Sequence, residues 1–109
     1  MNDFKWKDSE KKIANRAFEK ARTAELDEVV QSFKADAAKI KDADQLWTLI
    51  DTMKDRRNQF EHKYDYRYSI ILSVLARLFS EQRISAADLA GLDEDKLADI
   101  TVKSNYFSC

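Results

Sequence analysis

Asp51 carries a carboxylate that could do acid–base chemistry, and Arg57 carries a permanent positive charge six residues later; both lie in the run "LWTLIDTMKDRR". A carboxylate acts as a general acid or base when a site holds it against a substrate. Asp55 follows Asp51 by one helical turn, but the basic residues around the two carboxylates favour ion pairs over a metal site. One hypothesis is therefore a small helical enzyme that uses Asp51 and Arg57, and it requires a concave pocket around Asp51.

Nucleophilic and metal chemistry have little support in the rest of the chain. His62 is the only histidine, and its charged surroundings, "FEHKY", are typical of an exposed side chain. Cys109 is the only cysteine, so a disulfide within the chain is impossible and a reducing cytoplasm is indicated. The sequence has no glycine-rich phosphate loop. We expect no catalytic residue, no metal ligand and no cofactor on this chain, and a cytoplasmic protein.

A protein-binding surface is the competing interpretation of the same run. At about 100° per helical residue, Trp47, Asp51 and Lys54 point in nearly the same direction, and Ile50 and Arg57 flank them. Trp and Arg are enriched at binding hot spots, and a neighbouring carboxylate selects a basic partner. These five residues form the predicted partner-binding face. The structural alternative is that Trp47 packs at the edge of the core while Asp51 pairs with Lys54 or with a neighbouring chain.

The charge balance argues against a nucleic-acid or membrane partner. The chain has 19 basic and 20 acidic residues, which gives a net charge of −1. Non-specific binding to nucleic acid needs a clustered basic excess. No segment approaches the roughly 18 consecutive apolar residues of a membrane span.

Helices must position these residues, because one glycine and no proline leave few sites for the turns of a sheet protein. The predicted elements are a first helix from Glu10 to about Lys39 capped by Asp8 or Ser9, a second from an Asp42 cap, with Asp44 as the competing cap, to about Tyr64, a buried third over Ser69–Ser80, and a short helix that Ser85 caps and Gly91 ends. The run "DEDKLADI" is expected to add one or two helical turns, and the order of the final run, "TVKSNYFSC", is left open by the sequence.

The first helix predicts a dimer. Leu26, Val30, Phe33 and Ala37 alternate in steps of four and three, which is the spacing of a narrow seam between paired helices. A helix of about 30 residues is about 45 Å long, whereas a compact domain of this size has a radius of gyration near 13 Å. We expect one domain, 1–109, built as an antiparallel homodimer with a stem over about 9–64 and a helical head over about 66–109. In the alternative, the helix breaks near Glu25 and folds back as a monomeric bundle.

Two runs, "DQLWTLIDTMKDRR" and "KYDYRYSIILSVLARL", resemble the fluorescence recovery protein family of cyanobacteria. The family carries a Leu-Trp-x-Leu-His-Asp run with an arginine six residues after the Asp, and then a Lys-Tyr-Asp-x-Arg-x-Ser run. The resemblance is clear over about residues 24–80 and weaker beyond. It implies an all-helical dimer with a long-helix stem and a small head. It also implies a regulator without covalent chemistry that binds the photoactivated orange carotenoid protein at the phycobilisome, speeds its return to the resting form and so ends photoprotective quenching.

The resemblance also assigns roles. Trp47 is the implied aromatic anchor, Asp51 the acidic contact and Arg57 the basic contact. The second run contributes four further matches, which we expect to hold the stem against the head: Lys63, Tyr64, Asp65 and Arg67.

Three positions depart from the family pattern. Ile50 stands where the family run has histidine, and Ser73 and Leu75 stand where the family has aromatic residues. The alternative function is therefore a divergent homologue, which acts as a dimeric protein-interaction module with a different partner. A gene for a carotenoid-binding protein beside this one would favour the first function.

Overall fold

Residues 5–107 are described in the computed structural model, and every regular element in that range is helical. The elements are α1 over Asp8–Ala38, α2 over Ala43–Lys63, α3 over Ile71–Ser80, a short 3-10 helix over Ala87–Leu89, and α4 over Glu94–Phe107. The predicted all-α class is confirmed. Within the part of the chain that the structure describes, no helix is both long and apolar enough to cross a bilayer.

The α1 helix is continuous over 31 residues. It contains no glycine or proline, so no residue interrupts its backbone hydrogen bonds. The alternative in which the chain breaks near Glu25 and folds back is therefore wrong. At 1.5 Å per residue α1 is about 46 Å long, and it accounts for most of the 54 Å long axis of the protein.

The start of α1 is held by a buried carboxylate. Glu10 Oε1 accepts a hydrogen bond from the amide N–H of Lys7 at 3.1 Å, and its Oε2 accepts one from the amide of Asp93 at 3.0 Å. The predicted caps, Asp8 and Ser9, are wrong because the N-cap residue is Lys7. Glu10, at the third position of the helix, accepts the hydrogen bond of the Lys7 amide. This contact is the second half of a capping box.

Lys96 on α4 neutralises this carboxylate inside the head. Its Nζ lies 3.2 Å from Glu10 Oε1 and 3.0 Å from Asp93 Oδ2, and it donates to the carbonyl oxygen of Lys5 at 2.6 Å. The exposed fraction is 0% for Lys96 and 2% for Glu10. Burial acts to raise the pKa of the Glu10 carboxyl, but its amide hydrogen bonds and Lys96 outweigh burial and lower that pKa. Burial acts to lower the pKa of Lys96, and the carboxylates of Asp93 and Glu10 outweigh it and raise that pKa.

The α2 helix begins as predicted. Asp42 Oδ1 accepts a hydrogen bond from the Gln45 amide at 2.9 Å, so Asp42 is the N-cap. The side-chain oxygen of Gln45 accepts one from the Lys41 amide at 2.7 Å. These two bonds satisfy amides that the first turn of a helix leaves without partners.

The core lies in the head, where α3 packs between α4 and the first half of α1. Apolar side chains of α3 are buried on most faces, as expected for this segment, and α1 contributes the small residues that allow close approach. The central buried residues are Ala14, Ala17, Phe18, Ala21, Ile71, Leu75, Leu78 and Ile100. The first half of α1 therefore belongs to the head in its packing, and only its second half projects into the stem.

The C-terminal run, whose order the sequence left open, is helical as far as Phe107. The α4 helix continues to Phe107, and Ile100 and Ser104 on its inner face are buried. The helical turns expected over 93–100 are present, and only the extent of the helix was open, because its buried positions include Lys96 and Ser104, which do not make an apolar periodicity. Ser108 and Cys109 lie outside the described residues.

The stem is long and thinly covered. All buried residues of α1 lie at or before Ala21, and α2 has no buried residue. The radius of gyration is 17.0 Å, against about 13 Å for a compact chain of this size. The stem is thus a two-helix hairpin that leaves much apolar surface in solvent.

Candidate protein-binding site

The outer surface of α2 presents an exposed indole beside exposed charges. Trp47 is 60% exposed. Asp51 and Lys54, four and seven residues further along the same helix, are also exposed. Residues with this spacing share one face of a helix. The predicted partner-binding face is thus an accessible surface at its aromatic end, and Trp47 is not sealed in a core.

Two charges of this face, Asp51 and Lys54, are not neutralised by any of the residues that the structure describes. Neither Asp51 nor Lys54 forms an ion pair with any residue between 5 and 107. The alternative in which Asp51 pairs with Lys54 in the same chain is therefore wrong. Arg57 Nε lies 3.2 Å from Glu61 Oε1, but the two side chains are 80% and 61% exposed. Exposed pairs of this kind contribute only about 0–1 kcal/mol, so Arg57 is easily released to another acidic group.

Ile50 lies at the edge of the partner-binding face. It is half-buried, as is Met53 one turn later, so both belong to the side of α2 that turns towards the rest of the stem. Asp51 and Arg57 are exposed on a helix surface. That geometry lacks the concave pocket that the enzyme hypothesis requires. Among residues 5–107, no three His, Cys, Asp or Glu side chains are grouped closely enough to hold a metal ion.

A second apolar surface follows the far half of α1. Val30 is 46% exposed and Phe33 is 41% exposed, whereas Leu26 and Ala37 are half-buried. These are the four residues of the predicted dimer seam, and they continue as one stripe along the helix. Such a contiguous apolar stripe on a surface is typical of an interface.

Lys63 and Tyr64 join the stem to the head, as we expected from the second run. Lys63 Nζ donates to Glu25 Oε1 on α1 at 2.7 Å and to Glu81 Oε1 after α3 at 2.6 Å. The Tyr64 hydroxyl donates to Glu25 Oε1 at 2.7 Å. Tyr64 is buried, and burial together with that carboxylate raises the pKa of its phenol. Arg83 completes the network, with its Nε 3.1 Å from Glu25 Oε1 and 3.1 Å from Glu81 Oε1.

Asp65 and Arg67 do not take part in that junction. Arg67 Nη2 lies 2.6 Å from Asp65 Oδ2, and the Arg67 side chain is 67% exposed. The pair is local because the two residues are only two positions apart in the chain. The role expected for them, to hold the stem against the head, is therefore wrong.

Three partners of the junction were missed: Glu25, Glu81 and Arg83. Glu25 and Lys63 are 38 residues apart in the chain, and Lys63 and Glu81 are 18 apart. No spacing rule along one helix relates such positions. Each of these residues looks like an ordinary solvated charge in the sequence, and only the meeting of α1, α2 and the end of α3 makes them a network.

Comparison with known proteins identifies the family. The family profile described as "Photoprotection regulator fluorescence recovery protein" matches residues 6–104. The chain belongs to the fluorescence recovery protein family. The curated fluorescence recovery protein of Synechocystis sp. PCC 6803 is 36% identical over 95 residues, which are 87% of each chain. The resemblance inferred from the two sequence runs is confirmed, and the class of function is regulation of photoprotection.

Solved structures of fluorescence recovery proteins have the same fold. The protein from Fremyella diplosiphon superposes with a TM-score of 0.84 at 33% identity, covering 93% of this chain and 99% of the other. The protein from Synechocystis sp. PCC 6803 gives a TM-score of 0.84 at 34% identity with the same coverage. The long stem helices and the helical head are therefore the fold of fluorescence recovery proteins.

The departures from the family pattern fall in two different environments. Ile50 lies half-buried beside the exposed Trp47 and Asp51. Leu75 is fully buried in the head core, and Ser73 is half-buried on the same helix. The two changes in α3 thus concern packing of the head. The change at residue 50 removes a polar side chain from the edge of the partner-binding face.

Proposed function

We propose that this chain binds the photoactivated orange carotenoid protein, or a related carotenoid-binding protein, and accelerates its return to the resting form. This ends the quenching of the phycobilisome, and the place of action is the cytoplasm at the thylakoid face. The partner-binding face is the surface that makes the contact. The exposure of Trp47 beside Asp51 and Lys54, which have no ion-pair partner among residues 5–107, is the observation that carries the proposal.

The chemistry of this face suits a partner with one apolar pocket and charges of both signs. Burying an exposed tryptophan at an interface removes a large apolar area from water. This is why aromatic residues are frequent hot spots of binding. Asp51 would select a cation on the partner, and Lys54 and Arg57 would select a carboxylate. Charges that lack partners in the free protein favour fast and oriented encounter.

The mechanism is a change of barrier without bond chemistry. An accelerator of relaxation must bind the transition state more tightly than the activated form. A stem that binds one domain of the partner can do this by favouring the arrangement in which the partner's two domains dock against each other again. The carotenoid belongs to the partner, so this chain needs no cofactor.

A homodimer completes the proposed assembly. The seam of Leu26, Val30, Phe33 and Ala37 would pack against its copy in a second, antiparallel chain. This would cover apolar surface that the isolated stem leaves in solvent. Each dimer would then carry two partner-binding faces.

The direct test mixes the purified protein with light-activated orange carotenoid protein and follows the colour reversion in darkness. We expect the wild-type chain to speed the reversion and Trp47→Ala to remove most of that effect, because truncating a hot-spot aromatic costs at least about 2 kcal/mol, or roughly 30-fold in affinity. Tyr106→Ala is the matched control. Tyr106 is 79% exposed on α4, away from α2, and its loss should leave the reversion rate unchanged.

Two results would reject parts of this proposal. If Trp47→Ala also loses helicity by circular dichroism, the indole supports the fold and does not act as an anchor. If the wild-type chain leaves the reversion rate unchanged, the carotenoid protein is not its target and the divergent homologue with another partner is favoured. Ile50→His then separates the two cases, because a gain of activity in that variant assigns the loss to residue 50 alone.

A further inference from the structure

A polar cavity lies where the stem meets the head. Its volume is about 280 Å³, and α1, α2, α3 and the turn after α3 all contribute to its walls. Ligand pockets usually occupy about 300–1,000 Å³. The volume of this cavity lies just below that range, so the cavity suits only a small molecule or an ion. We call it the corner cavity.

Cations dominate the wall of the corner cavity. Arg56, Lys63, Arg77 and Arg83 line it, against the two carboxylates of Glu25 and Glu28. Glu81 is not itself a lining residue, but it accepts hydrogen bonds from three of these cations, Lys63, Arg77 and Arg83. With Glu81 included, four positive charges face three negative charges.

The carboxylates are all engaged by three of the cations. Lys63 bonds to Glu25 and Glu81. Arg83 forms a two-point contact with Glu28, at 2.7 Å through Nη1 and 3.0 Å through Nη2. Burial acts against ionisation of Glu81, but its cationic neighbours outweigh burial and lower the pKa of its carboxyl.

Arg56 is the fourth cation of the wall, and it does not take part in these ion pairs. It is half-buried on α2, and no carboxylate between residues 5 and 107 pairs with it. Among the described residues, its guanidinium donates a single hydrogen bond, from Nη1 to Ser32 Oγ at 3.2 Å. A guanidinium has five N–H donors, so most of its donors are free to meet a ligand in the cavity. Partial burial removes water from this group, and a half-buried charge with no counter-ion is costly to keep.

We propose that the corner cavity binds a small oxyanion, a phosphate or a carboxylate, with Arg56 as its principal contact. The planar fork of a guanidinium matches the geometry of both groups and bonds them at two points. Arg77, which keeps only a single bond to Glu81 at 3.2 Å, lies on the same wall and supplies a second cation. The bound anion would neutralise the excess positive charge and tie α2 to α3.

The corner cavity shares Glu25, Lys63 and Arg83 with the junction of stem and head, but its principal contact, Arg56, belongs to neither the seam nor the partner-binding face. Val30 of the seam lies about 140° around α1 from Glu25. Val29, which lines the cavity, lies about 40° from Phe33, so the cavity and the seam are neighbours on α1. Arg57 is the next residue to Arg56, but its side chain is 80% exposed and pairs with Glu61. The proposal therefore does not rest on the proposed function of the chain.

The adjacent arginines provide the experiment with a matched control. Inorganic phosphate and succinate are each titrated into the wild-type protein, Arg56→Gln and Arg57→Gln by isothermal titration calorimetry, with sodium chloride used to hold the ionic strength constant. We expect saturable binding of at least one anion to wild type and to Arg57→Gln. We expect binding at least about tenfold weaker to Arg56→Gln, because the variant loses the positive charge and the two-point hydrogen bonding of the guanidinium.

Each result decides the proposal. Phosphate binding without succinate binding assigns the site to phosphate, and the reverse assigns it to carboxylates. The proposal is overturned if neither anion binds, or if Arg56→Gln and Arg57→Gln lose affinity equally, which would indicate general attraction to a basic surface. If Arg56→Gln fails to fold by circular dichroism, Arg77→Gln takes its place and must weaken binding in the same way.

Discussion

Lys96→Met removes the ammonium group that neutralises a buried carboxylate in the head. The variant keeps a long apolar side chain, so the change in volume is small. Glu10, which is 2% exposed, keeps the amide hydrogen bonds from Lys7 and Asp93 at 3.1 and 3.0 Å. What it loses is the cation 3.2 Å away.

Removing one partner of a buried ion pair costs about 3–5 kcal/mol. Because two amide donors remain on Glu10, we expect the lower end, a loss of about 3 kcal/mol in the free energy of unfolding. For a chain of this size, that corresponds to a fall of about 12 °C or more in Tm. A typical domain has only about 5–15 kcal/mol of stability, so the effect is large enough to measure without ambiguity.

The pH dependence supplies an independent check. In the wild-type protein the pKa of Glu10 is lowered, so its contribution to stability is complete above the ordinary carboxyl pKa, about 4.3, and is lost as the pH falls below that value. In Lys96→Met the buried carboxylate has no counter-ion and takes up a proton more readily. The stability difference between the two proteins should therefore shrink as the pH falls from 7 towards about 4.

The assay is urea unfolding followed by circular dichroism at both pH values. Lys103→Met is the control, because Lys103 pairs with Asp99 at 2.6 Å on the same helix but is 35% exposed. It should cost less than about 1 kcal/mol. Adding Glu10→Gln to Lys96→Met should recover part of the loss. The reasoning is refuted if the two lysine variants lose equal stability, or if the effect of Lys96→Met does not change with pH.

Two other substitutions test the stem and the turn before α4. Val30→Glu places a carboxylate in the proposed seam, where burying it without a partner costs several kcal/mol. Light scattering should therefore find monomers of Val30→Glu, whereas the control Val30→Thr should stay dimeric. A dimer of Val30→Glu would reject the seam. Gly91→Ala should lower stability by about 1–2 kcal/mol, because its φ is +104° and an added Cβ would lie 2.6 Å from Cδ1 of Ile13. Equal thermal unfolding of Gly91→Ala and wild type would show that the turn relaxes without strain.

Features decided by neighbouring residues were predictable from the sequence. The Asp42 cap needs only Gln45 three residues later, and the structure has that hydrogen bond. The helical class follows from the near absence of glycine and proline. Gly91 ends a helical turn with a positive φ, as its place in the sequence predicted. In each case the interaction closes within a few residues, so it is visible without knowing where the rest of the chain goes.

Features decided by distant residues needed the tertiary structure. Lys96 and Glu10 are 86 residues apart, and their sequence gives no sign that two charged side chains will be buried together. The same holds for Arg56, which looks identical to Arg57 in the sequence but lines a cavity while its neighbour lies in solvent.

The partner-binding face combines both kinds of information. The helical repeat alone puts Trp47, Asp51 and Lys54 on one stripe of α2, because residues three and four apart share a face. Whether that stripe turns towards α1 or towards solvent depends on how the two stem helices pack, and packing is set by contacts between segments far apart in the chain. The sequence by itself therefore determined which side chains stand together, and the tertiary structure decided that the indole is 60% exposed.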